Sequence, residues 1–294
     1  MADLKPERPV TFVCDGLRLT GMLGEPVVER AVPARSETPR SSAGAVVLIH
    51  GWAGYRIGPH RMLLRAARRL NEIGFHTLRF DLRGRGDSEG DGPAVGLDEM
   101  IADSVAAVDF IKSESGAHRL VLAGICSGAN VAIGAATLRH DVKELTLWSV
   151  LPFQPEARAG QRARRARHYL RQYLAKACQW QSWKRLLRGE SSLRGAARTM
   201  AGDAAPLRDG RNLKDSDRNL MQAFAAWRGR ALFVTGSLDP EGMAGREIFE
   251  PFCRERQMPA RFHLVQGATH SYYDPAHERE VIDATLRWLQ DKES

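Results

Sequence analysis

The sequence predicts a doubly wound α/β fold with a mainly parallel sheet and one inserted helical segment. Short apolar runs alternate with longer amphipathic segments from residue 45 onward. This alternation stops at Pro152 and returns at Ala231. The chain has 294 residues, 43% of them hydrophobic, which suffices for one large domain with a buried core.

The first half of the chain supplies a hairpin and then strand–helix pairs. Apolar and polar residues alternate on both sides of Asp15-Gly16, which predicts a hairpin over 10–26, and a polar loop follows at 29–44. The apolar run 45–51 ends in Gly51 and the amphipathic segment 60–74 ends in Gly74. Strands are expected at 45–51, 76–82, 120–125 and 144–151, and helices at 60–74, at 97–115 and from Cys126 onward.

The second half divides into an insertion and a return of the α/β pattern. Residues 152–230 are basic, with a helical pattern and no convincing strand, whereas strands at 231–237 and 261–267 alternate with helices at 241–256 and 277–291. We therefore expect 1–151 and 231–294 to form one α/β core and 152–230 to form a helical lid.

The positive charge is concentrated in the predicted lid. The formal net charge is +8, and ten Lys and Arg residues with no acidic residue lie between Arg158 and Arg188. Such a segment is either a solvated helix face or a platform for an anionic partner. The sequence contains no nucleic-acid-binding motif, so nucleic acid is not the expected partner.

Aromatic residues also recur in the predicted lid at helical spacing. Together with Leu187 they form either the inner face of the lid helices or an acyl-chain pocket, and they are Tyr169, Tyr173, Trp180 and Trp183.

Several absences limit the class of protein. No apolar run reaches the roughly 20 residues that span a bilayer, and the charged N-terminus lacks a secretory signal. The four cysteines have no paired spacing, which suits a reducing compartment and a cytoplasmic protein. No cluster has metal-ligand spacing and no dinucleotide-binding glycine motif opens a helix, so neither a metal nor a cofactor is predicted.

Five segments with reactive or glycine-rich sequences each follow a predicted strand. Ligands of open α/β sheets bind beyond the carboxyl ends of the strands, so these segments should meet at one edge. They are "HGWAG" (50–54), "DLRGRGDSEG" (81–90), Cys126, Asp239 and His270.

Cys126 is the predicted nucleophile. A nucleophile elbow needs small residues two places before and two places after the reactive side chain, and Cys126 has Gly124 and Gly128 there. Ser127 lacks such neighbours, so it is expected to offer its backbone N–H as one oxyanion donor, with the N–H of Trp52 as the second.

His270 and Asp239 complete the predicted catalytic triad. His270 would accept the thiol proton, and Asp239 would orient the imidazole and stabilise its cation. The alternatives are a buried core cysteine, a helix-capping Asp239 and an ordinary loop His270. Glu241 is the alternative acid.

Other polar residues at this edge have predicted structural or substrate-contacting roles. His50 is expected to orient the oxyanion loop. Substrate contacts are predicted for Tyr55, Arg56 and Tyr272, with a structural role as the alternative for Tyr55, Arg56 and His60. The turn residues predicted to be structural are Asp81, Arg83 and Asp87.

The motifs "IHGWAG", "LRFDLRGRGDSEG", "GICSGA", "GSLD" and "GATHSYY" resemble those of the α/β-hydrolase superfamily over nearly the whole chain. The stretches "YRIGPHRMLLRAARRLNEIGFHTLRFDLRGRGDSEG" and "HYLRQYLAKACQWQSWKRLLRG" are similar to bacterial hydrolases associated with the exosortase A system, in which cysteine is often found at the elbow. The resemblance implies a helical cap and a nucleophile–Asp–His site carried by Cys126, Asp239 and His270. It names no substrate.

Three functions are compatible with these residues. The first is hydrolysis of a small-molecule carboxylic ester or thioester, with thioesters and activated esters favoured by the sulfur nucleophile. The second is acyl transfer from the same acyl-cysteine, and the third is a non-catalytic binding protein. An acidic acyl-carrier protein is one anionic partner that would suit the basic lid. Serine at position 126 would keep the same site and remove the thioester preference.

Overall fold

The computed structural model describes residues 7–27, 44–153, 207–208 and 211–291. Ten strands and six α-helices lie in these ranges. The strands are β1 (Arg8–Cys14), β2 (Leu17–Gly24), β3 (Gly44–Ile49), β4 (Phe75–Phe80), β5 (Leu120–Ile125), β6 (Val142–Trp148), β7 (Leu207–Arg208), β8 (Arg211–Asn212), β9 (Arg230–Gly236) and β10 (Ala260–Val265). The helices are α1 (Met62–Glu72), α2 (Leu97–Ser115), α3 (Ser127–Leu138), α4 (Leu220–Ala226), α5 (Pro240–Glu255) and α6 (Pro275–Gln290).

Eight strands form one sheet in the order β1-β2-β4-β3-β5-β6-β9-β10. The pairs β1/β2 and β2/β4 are antiparallel, and every other neighbouring pair is parallel. The predicted α/β fold with a mainly parallel sheet is therefore confirmed. The strand order changes direction between β3 and β5, where doubly wound sheets open a crevice for ligands.

The N-terminal hairpin matches the turn signal in the sequence. Asp15 and Gly16 both have positive φ, 51° and 78°, as a two-residue hairpin turn requires. Val10, Phe12 and Cys14 alternate with exposed neighbours, so one face of β1 is buried and the other is exposed.

Helices cover both faces of the sheet. The face covered by α1 and α6 buries Met62, Leu70 and Ile282, whereas α2 and α3 bury Ile101 and Ile133 on the opposite face. The central strands β3 and β5 are buried along their whole length, because both of their faces are covered.

The core resumes before residue 231. Helix α4 buries Phe224, and the Trp227 Nε1–H after it donates to the carbonyl of Val142 at 2.9 Å. This segment therefore packs as part of the core, which corrects the predicted end of the insertion. The two-residue strands β7 and β8 also pair in a region expected to lack strands.

Most of the predicted insertion lies outside the described residues. This applies to the basic segment 158–188, to the lid prediction over 154–206 and to the aromatic set from Tyr169 to Leu187, all of which stay predictions. The polar loop predicted at 29–44 is outside them too, apart from Gly44. None of the helices in the described ranges has the length and apolarity to cross a bilayer.

Candidate active site

Cys126 lies in the turn between β5 and α3, with a strained backbone. Its φ is 58° and its ψ is −130°, a combination that side-chain-bearing residues rarely adopt and that functional sites retain. The Cys126 N–H donates to the carbonyl of Trp148 at 2.8 Å, which fixes the turn to the neighbouring strand. The thiol is partly exposed, unlike the buried Cys14 and Cys253.

Two glycines allow this turn to form. A Cβ on Gly124 would lie 2.3 Å from the Gly128 carbonyl oxygen, and a Cβ on Gly128 would lie 2.5 Å from the carbonyl oxygens of Ile49 and His50. No side chain fits at either position. The close backbone approach that a nucleophile elbow requires two residues before and after Cys126 is therefore present.

His270 and Asp239 form a hydrogen-bonded pair beyond β10 and β9. His270 Nδ1 lies 2.8 Å from Asp239 Oδ1, and the carboxylate is fully buried. Asp239 also caps α5 by accepting from the N–H of Glu241 at 3.1 Å, so the same carboxylate contacts His270 and caps a helix. Burial alone would raise the pKa of Asp239, but the hydrogen bond and charge of His270 bring it below its ordinary value.

His270 interacts with Cys126 on its other side. Burial alone would lower the pKa of His270, but the charges and hydrogen bonds of Cys126 and Asp239 raise it well above its usual 6.5. Nε2 is buried and has no partner of standard hydrogen-bond geometry among the described residues. Glu241 lies 3.8 Å from Nε2 through a carboxylate oxygen, whereas Asp239 lies 2.8 Å from Nδ1, so Asp239 is the better placed of the two predicted acids.

The Tyr272 side chain is fully buried. Its hydroxyl donates to the carbonyl of Val234 at 3.1 Å and lies 2.8 Å from Ser149 Oγ. Ser149 also interacts with the Asp239 carboxylate, so Tyr272 supports the His270–Asp239 pair through Ser149. This burial favours a structural role for Tyr272, and its substrate contact stays a prediction.

The two predicted oxyanion donors lie next to each other, with one difference from expectation. The N–H of Trp52 donates to the Ser127 hydroxyl at 2.6 Å and is therefore not free. The backbone N–H of Ser127 opens α3, where the first amides have no partner within the helix. The Ser127 side chain thus enters the predicted oxyanion site, a contact that sequence reasoning missed.

His50 connects the loops that follow β3 and β4, as expected. It lies 2.7 Å from the Gly51 carbonyl through Nδ1, and its Nε2 accepts from the N–H of Leu82 at 3.1 Å. These partners require the Nδ1–H tautomer, because a carbonyl needs a donor and an N–H needs an acceptor. Burial lowers the pKa of His50 to about 4, so the ring is neutral at physiological pH.

Arg56 is bound to the carboxylates of the 81–90 turn. Its guanidinium pairs with Asp81 and Asp87, and its N–H donates to Asp81 at 2.6 Å. These contacts favour the structural alternative for Arg56, and its substrate contact stays a prediction. Tyr55 is 48% exposed, and its role as a substrate contact stays a prediction.

An exposed aromatic pair near His270 was missed. The rings of His60 and Tyr273 lie 3.9 Å apart, and Tyr273 is 66% exposed. The sequence "SYY" gives no signal that separates the buried Tyr272 from the exposed Tyr273. The backbone at Tyr272 has a positive φ, 51°, which the sequence does not signal either.

A cavity of about 860 Å³ lies at the opposite edge of the sheet, where β5, β6 and β9 begin. Arg119, Lys143 and Trp227 are among its lining residues, and it includes none of the predicted site residues. We therefore base the candidate site on the elbow geometry rather than on cavity size. Within the described ranges, no three His, Cys, Asp or Glu side chains gather as metal ligands would.

A doubly wound sheet with a strained elbow, a His–Asp pair and an adjacent amide loop defines the class of nucleophile-elbow proteins. The alpha/beta hydrolase family model matches residues 46–284, and the chain belongs to that family.

Individual relatives agree with this assignment. A segment of 92 residues is 37% identical to lysophosphatidylserine lipase ABHD12 of Gallus gallus and covers 31% of this chain but only 23% of that protein. Est1E of Butyrivibrio proteoclasticus with bound ferulic acid superposes with a TM-score of 0.62 at 21% identity, over 96% of this chain and all of that one. An esterase of Pyrococcus furiosus gives 0.62 at 18% identity, over 98% and 91% of the two chains.

Proposed function

We propose that this protein hydrolyses a small-molecule carboxylic ester or thioester through a covalent acyl-enzyme on Cys126. The observation that carries the proposal is the strained elbow that presents Cys126 beside the hydrogen-bonded pair of His270 and Asp239. Membership of the alpha/beta hydrolase family supports it, as do relatives named as a lipase and esterases.

In the acylation step, His270 holds the proton that leaves the Cys126 thiol. The thiolate then attacks the substrate carbonyl carbon and forms a C–S bond, while the carbonyl π electrons move to oxygen. The amide of Ser127 and the Ser127 hydroxyl, which itself accepts from the Trp52 N–H, provide donors for that oxygen. On collapse, the C–O or C–S bond to the leaving group breaks, and the His270 imidazolium protonates the departing alcohol or thiol.

In the deacylation step, neutral His270 accepts a proton from water as the water attacks the acyl carbon. Collapse of the second tetrahedral intermediate breaks the C–S bond, releases the carboxylic acid and returns the proton to sulfur. Asp239 stabilises the imidazolium at both stages, because its carboxylate contacts Nδ1.

A cysteine nucleophile favours particular substrates within this class. The acyl-enzyme is itself a thioester, so thioesters and activated esters are better matched donors than unactivated alkyl esters or amides. The exosortase-associated resemblance, the cytoplasmic location and an acidic carrier protein bound by the basic segment 158–188 stay predictions that belong to this proposal.

The first test is a substrate screen over nitrophenyl esters and acyl thioesters with paired variants. Cys126→Ala is expected to lose on the order of 10³-fold or more in kcat, because no nucleophile remains. Cys126→Ser keeps a weaker nucleophile at the same place and should retain part of the ester hydrolysis. Cys253→Ala, which removes a buried thiol outside the site, is the matched control and should keep the activity.

The second test is identification of the intermediate by mass spectrometry after rapid quenching. An acyl mass on the peptide containing Cys126 is expected. Competition between water and added amines or alcohols then measures acyl transfer, which would dominate in a transferase. Full activity of Cys126→Ala, or a Cys126 thiol that resists alkylation at neutral pH in the presence of His270, would overturn the proposal.

A further inference from the structure

Three arginines lie on the loops at the catalytic edge, and carboxylates neutralise two of them. Arg56 pairs with the fully buried Asp81. Arg83 pairs with the fully buried Asp103 at 2.7 Å. The third, Arg85, has no carboxylate partner among the described residues. Among the described residues, these loops thus leave the positive charge of Arg85 without a carboxylate partner beside the candidate active site.

Arg85 is held in place by carbonyl groups instead. Its Nε donates to the Trp52 carbonyl at 2.7 Å and its Nη1 to the Gly84 carbonyl at 3.1 Å, so two hydrogen bonds fix the guanidinium plane. The side chain is partly buried, and burial lowers its pKa, with no acidic neighbour acting against this. A desolvated cation without a counter-charge is costly, which makes it a good recognition group for an anion.

A second cation lies near the indole ring of Trp52, the residue whose carbonyl accepts from Arg85. The Arg85 guanidinium and the Lys214 ammonium each lie 5.9 Å from the centroid of the Trp52 ring. The segment bearing Lys214 is anchored, because the carbonyl of Leu213 accepts from the N–H of Leu97 at 2.8 Å. Both charges therefore lie within cation–π distance of Trp52, a residue of the predicted oxyanion loop.

The backbone at Gly51 and Trp52 lies close to the Cys126 thiol. A Cβ built on Gly51 would lie 3.3 Å from Cys126 Cβ and 3.6 Å from Cys126 Sγ, so the Gly51–Trp52 peptide runs beside the thiol. Arg85 is bonded to the carbonyl of Trp52, one residue further along. One residue of extended chain spans about 3.5 Å, so a group a few bonds from the reacting carbonyl would reach the guanidinium.

We propose that the substrate carries an anionic oxygen group, a carboxylate or a phosphate, near its reacting carbonyl, and that Arg85 with Lys214 binds this group. The inference rests on the proposed ester or thioester hydrolysis and narrows its substrate class. Among the described residues, Nη2 of Arg85 has no hydrogen-bond partner, so the guanidinium can donate to such a group in a fixed direction. The Lys214 ammonium adds a second positive charge.

The test compares matched neutral and anionic esters. Nitrophenyl butyrate and nitrophenyl hemisuccinate differ by a carboxylate on the acyl side, and phenyl butyrate and 4-carboxyphenyl butyrate differ on the leaving-group side. We expect kcat/KM to favour one anionic ester over its neutral partner. In Arg85→Gln, kcat/KM for that ester should fall about 10- to 100-fold, while the neutral ester changes less than about threefold. Arg85→Lys should keep part of the preference.

A structural role for Arg85 predicts a different result. If the guanidinium only holds the Trp52 carbonyl, Arg85→Gln lowers kcat/KM for both members of a pair equally and leaves their ratio unchanged, which would overturn the inference. Arg228→Gln, which alters an arginine lining the cavity at the opposite edge, is the matched control and should leave the ratio as in the wild type.

Binding measurements separate failure of this inference from failure of the proposed function. If no ester or thioester is turned over, the proposed function fails. Calorimetry with glutarate and with neutral methyl butyrate then tests Arg85 without catalysis. Glutarate binding that is lost in Arg85→Gln supports the anion site, and absence of glutarate binding to the wild type overturns it.

Discussion

At the scale of single residues, the most informative feature is the positive φ of Cys126. A left-handed backbone at a side-chain-bearing residue costs about 1–3 kcal/mol and persists only where the surroundings impose it. Here the imposing contacts are the Gly124–Gly128 approach and the bond from Cys126 N–H to Trp148. The strained turn keeps the Cys126 sulfur partly exposed beside the core.

The Ser127 hydroxyl gives a prediction at this scale. Its oxygen accepts from the Trp52 N–H, so its own proton is left to donate to an oxyanion. We expect Ser127→Ala to lower kcat about 10- to 100-fold with little change in KM, and Ser127→Thr to retain more activity. Steady-state kinetics checks this. A higher kcat in Ser127→Ala would mean that the hydroxyl blocks the Trp52 amide instead.

A second residue-scale prediction concerns pH. Asp239 contributes to the raised pKa of His270, so Asp239→Asn should lower that pKa and move the alkaline limb of kcat/KM to lower pH. Activity should also fall by about 100-fold or more, because the imidazolium loses its counter-charge. NMR titration of the His270 ring measures the shift. Glu241→Gln is the matched control, and an equal pKa shift there would contradict the assignment of the acid.

At the scale of elements, the site depends on close backbone approach between β3 and the elbow. A Cβ on Gly128 would lie 2.5 Å from two β3-loop carbonyls. Gly128→Ala should therefore reduce the unfolding free energy by about 1–3 kcal/mol and strongly reduce kcat, measured by urea unfolding and by steady-state assays. Gly116→Ala, at a φ of 64° with open space around it, should cost stability but leave kcat unchanged.

His50 gives a second prediction for the loops after β3 and β4. Its folded-state pKa of about 4 lies below the ordinary 6.5, so the unfolded chain binds more protons between these values. Stability should thus fall as pH drops from 6.5 to 4, by about 2 kcal/mol between pH 7 and pH 5. Urea unfolding at several pH values tests this. In His50→Gln the slope over this range should become shallower, and an unchanged slope would contradict the prediction.

The regular elements could be predicted because local chemistry and tertiary structure agree there. Asp15-Gly16 supplies the positive φ of the hairpin turn, and Asp239 begins α5 as the residue type expected of a cap. Helix α4 was assigned to the lid because its seven residues carry too weak a pattern to reveal that Phe224 packs against the core.

The site could be predicted only as far as strand order determines it. The three triad residues each follow a strand, so their convergence follows from topology. Strand topology does not determine which side chains face the site. Tyr272 is buried at a position with a positive φ, and Arg56 is ion-paired with carboxylates of the 81–90 turn. Both depend on contacts between residues distant in sequence.

At the scale of the whole molecule, the edge opposite the site is tied together by ion pairs. Arg119 and Arg230 both pair with Glu144, which is 6% exposed, and Arg119 also donates to the carbonyl of Leu289 in α6 at 2.7 Å. These contacts join the starts of three strands to the last helix. They lie away from the catalytic loops.

Removing this carboxylate should therefore affect stability and not catalysis. Glu144→Gln leaves two arginines without their partner, and we expect a loss of about 3 kcal/mol in unfolding free energy with unchanged kcat per folded molecule. Asp109→Asn, which breaks an exposed pair with Arg139, is the control and should cost less than about 1 kcal/mol. An equal loss of unfolding free energy in both variants would contradict the prediction that the buried carboxylate contributes more to stability than the exposed one.

The position of His270 beyond the last strand has a consequence for biosynthesis. On the ribosome, Cys126 emerges well before His270, the predicted catalytic base, and β10 can be added to the sheet edge only after β9. Under the proposed mechanism, a nascent chain that has not yet added β10 carries the sulfur without the base that activates it. A product truncated before β10 is therefore expected not to acylate itself.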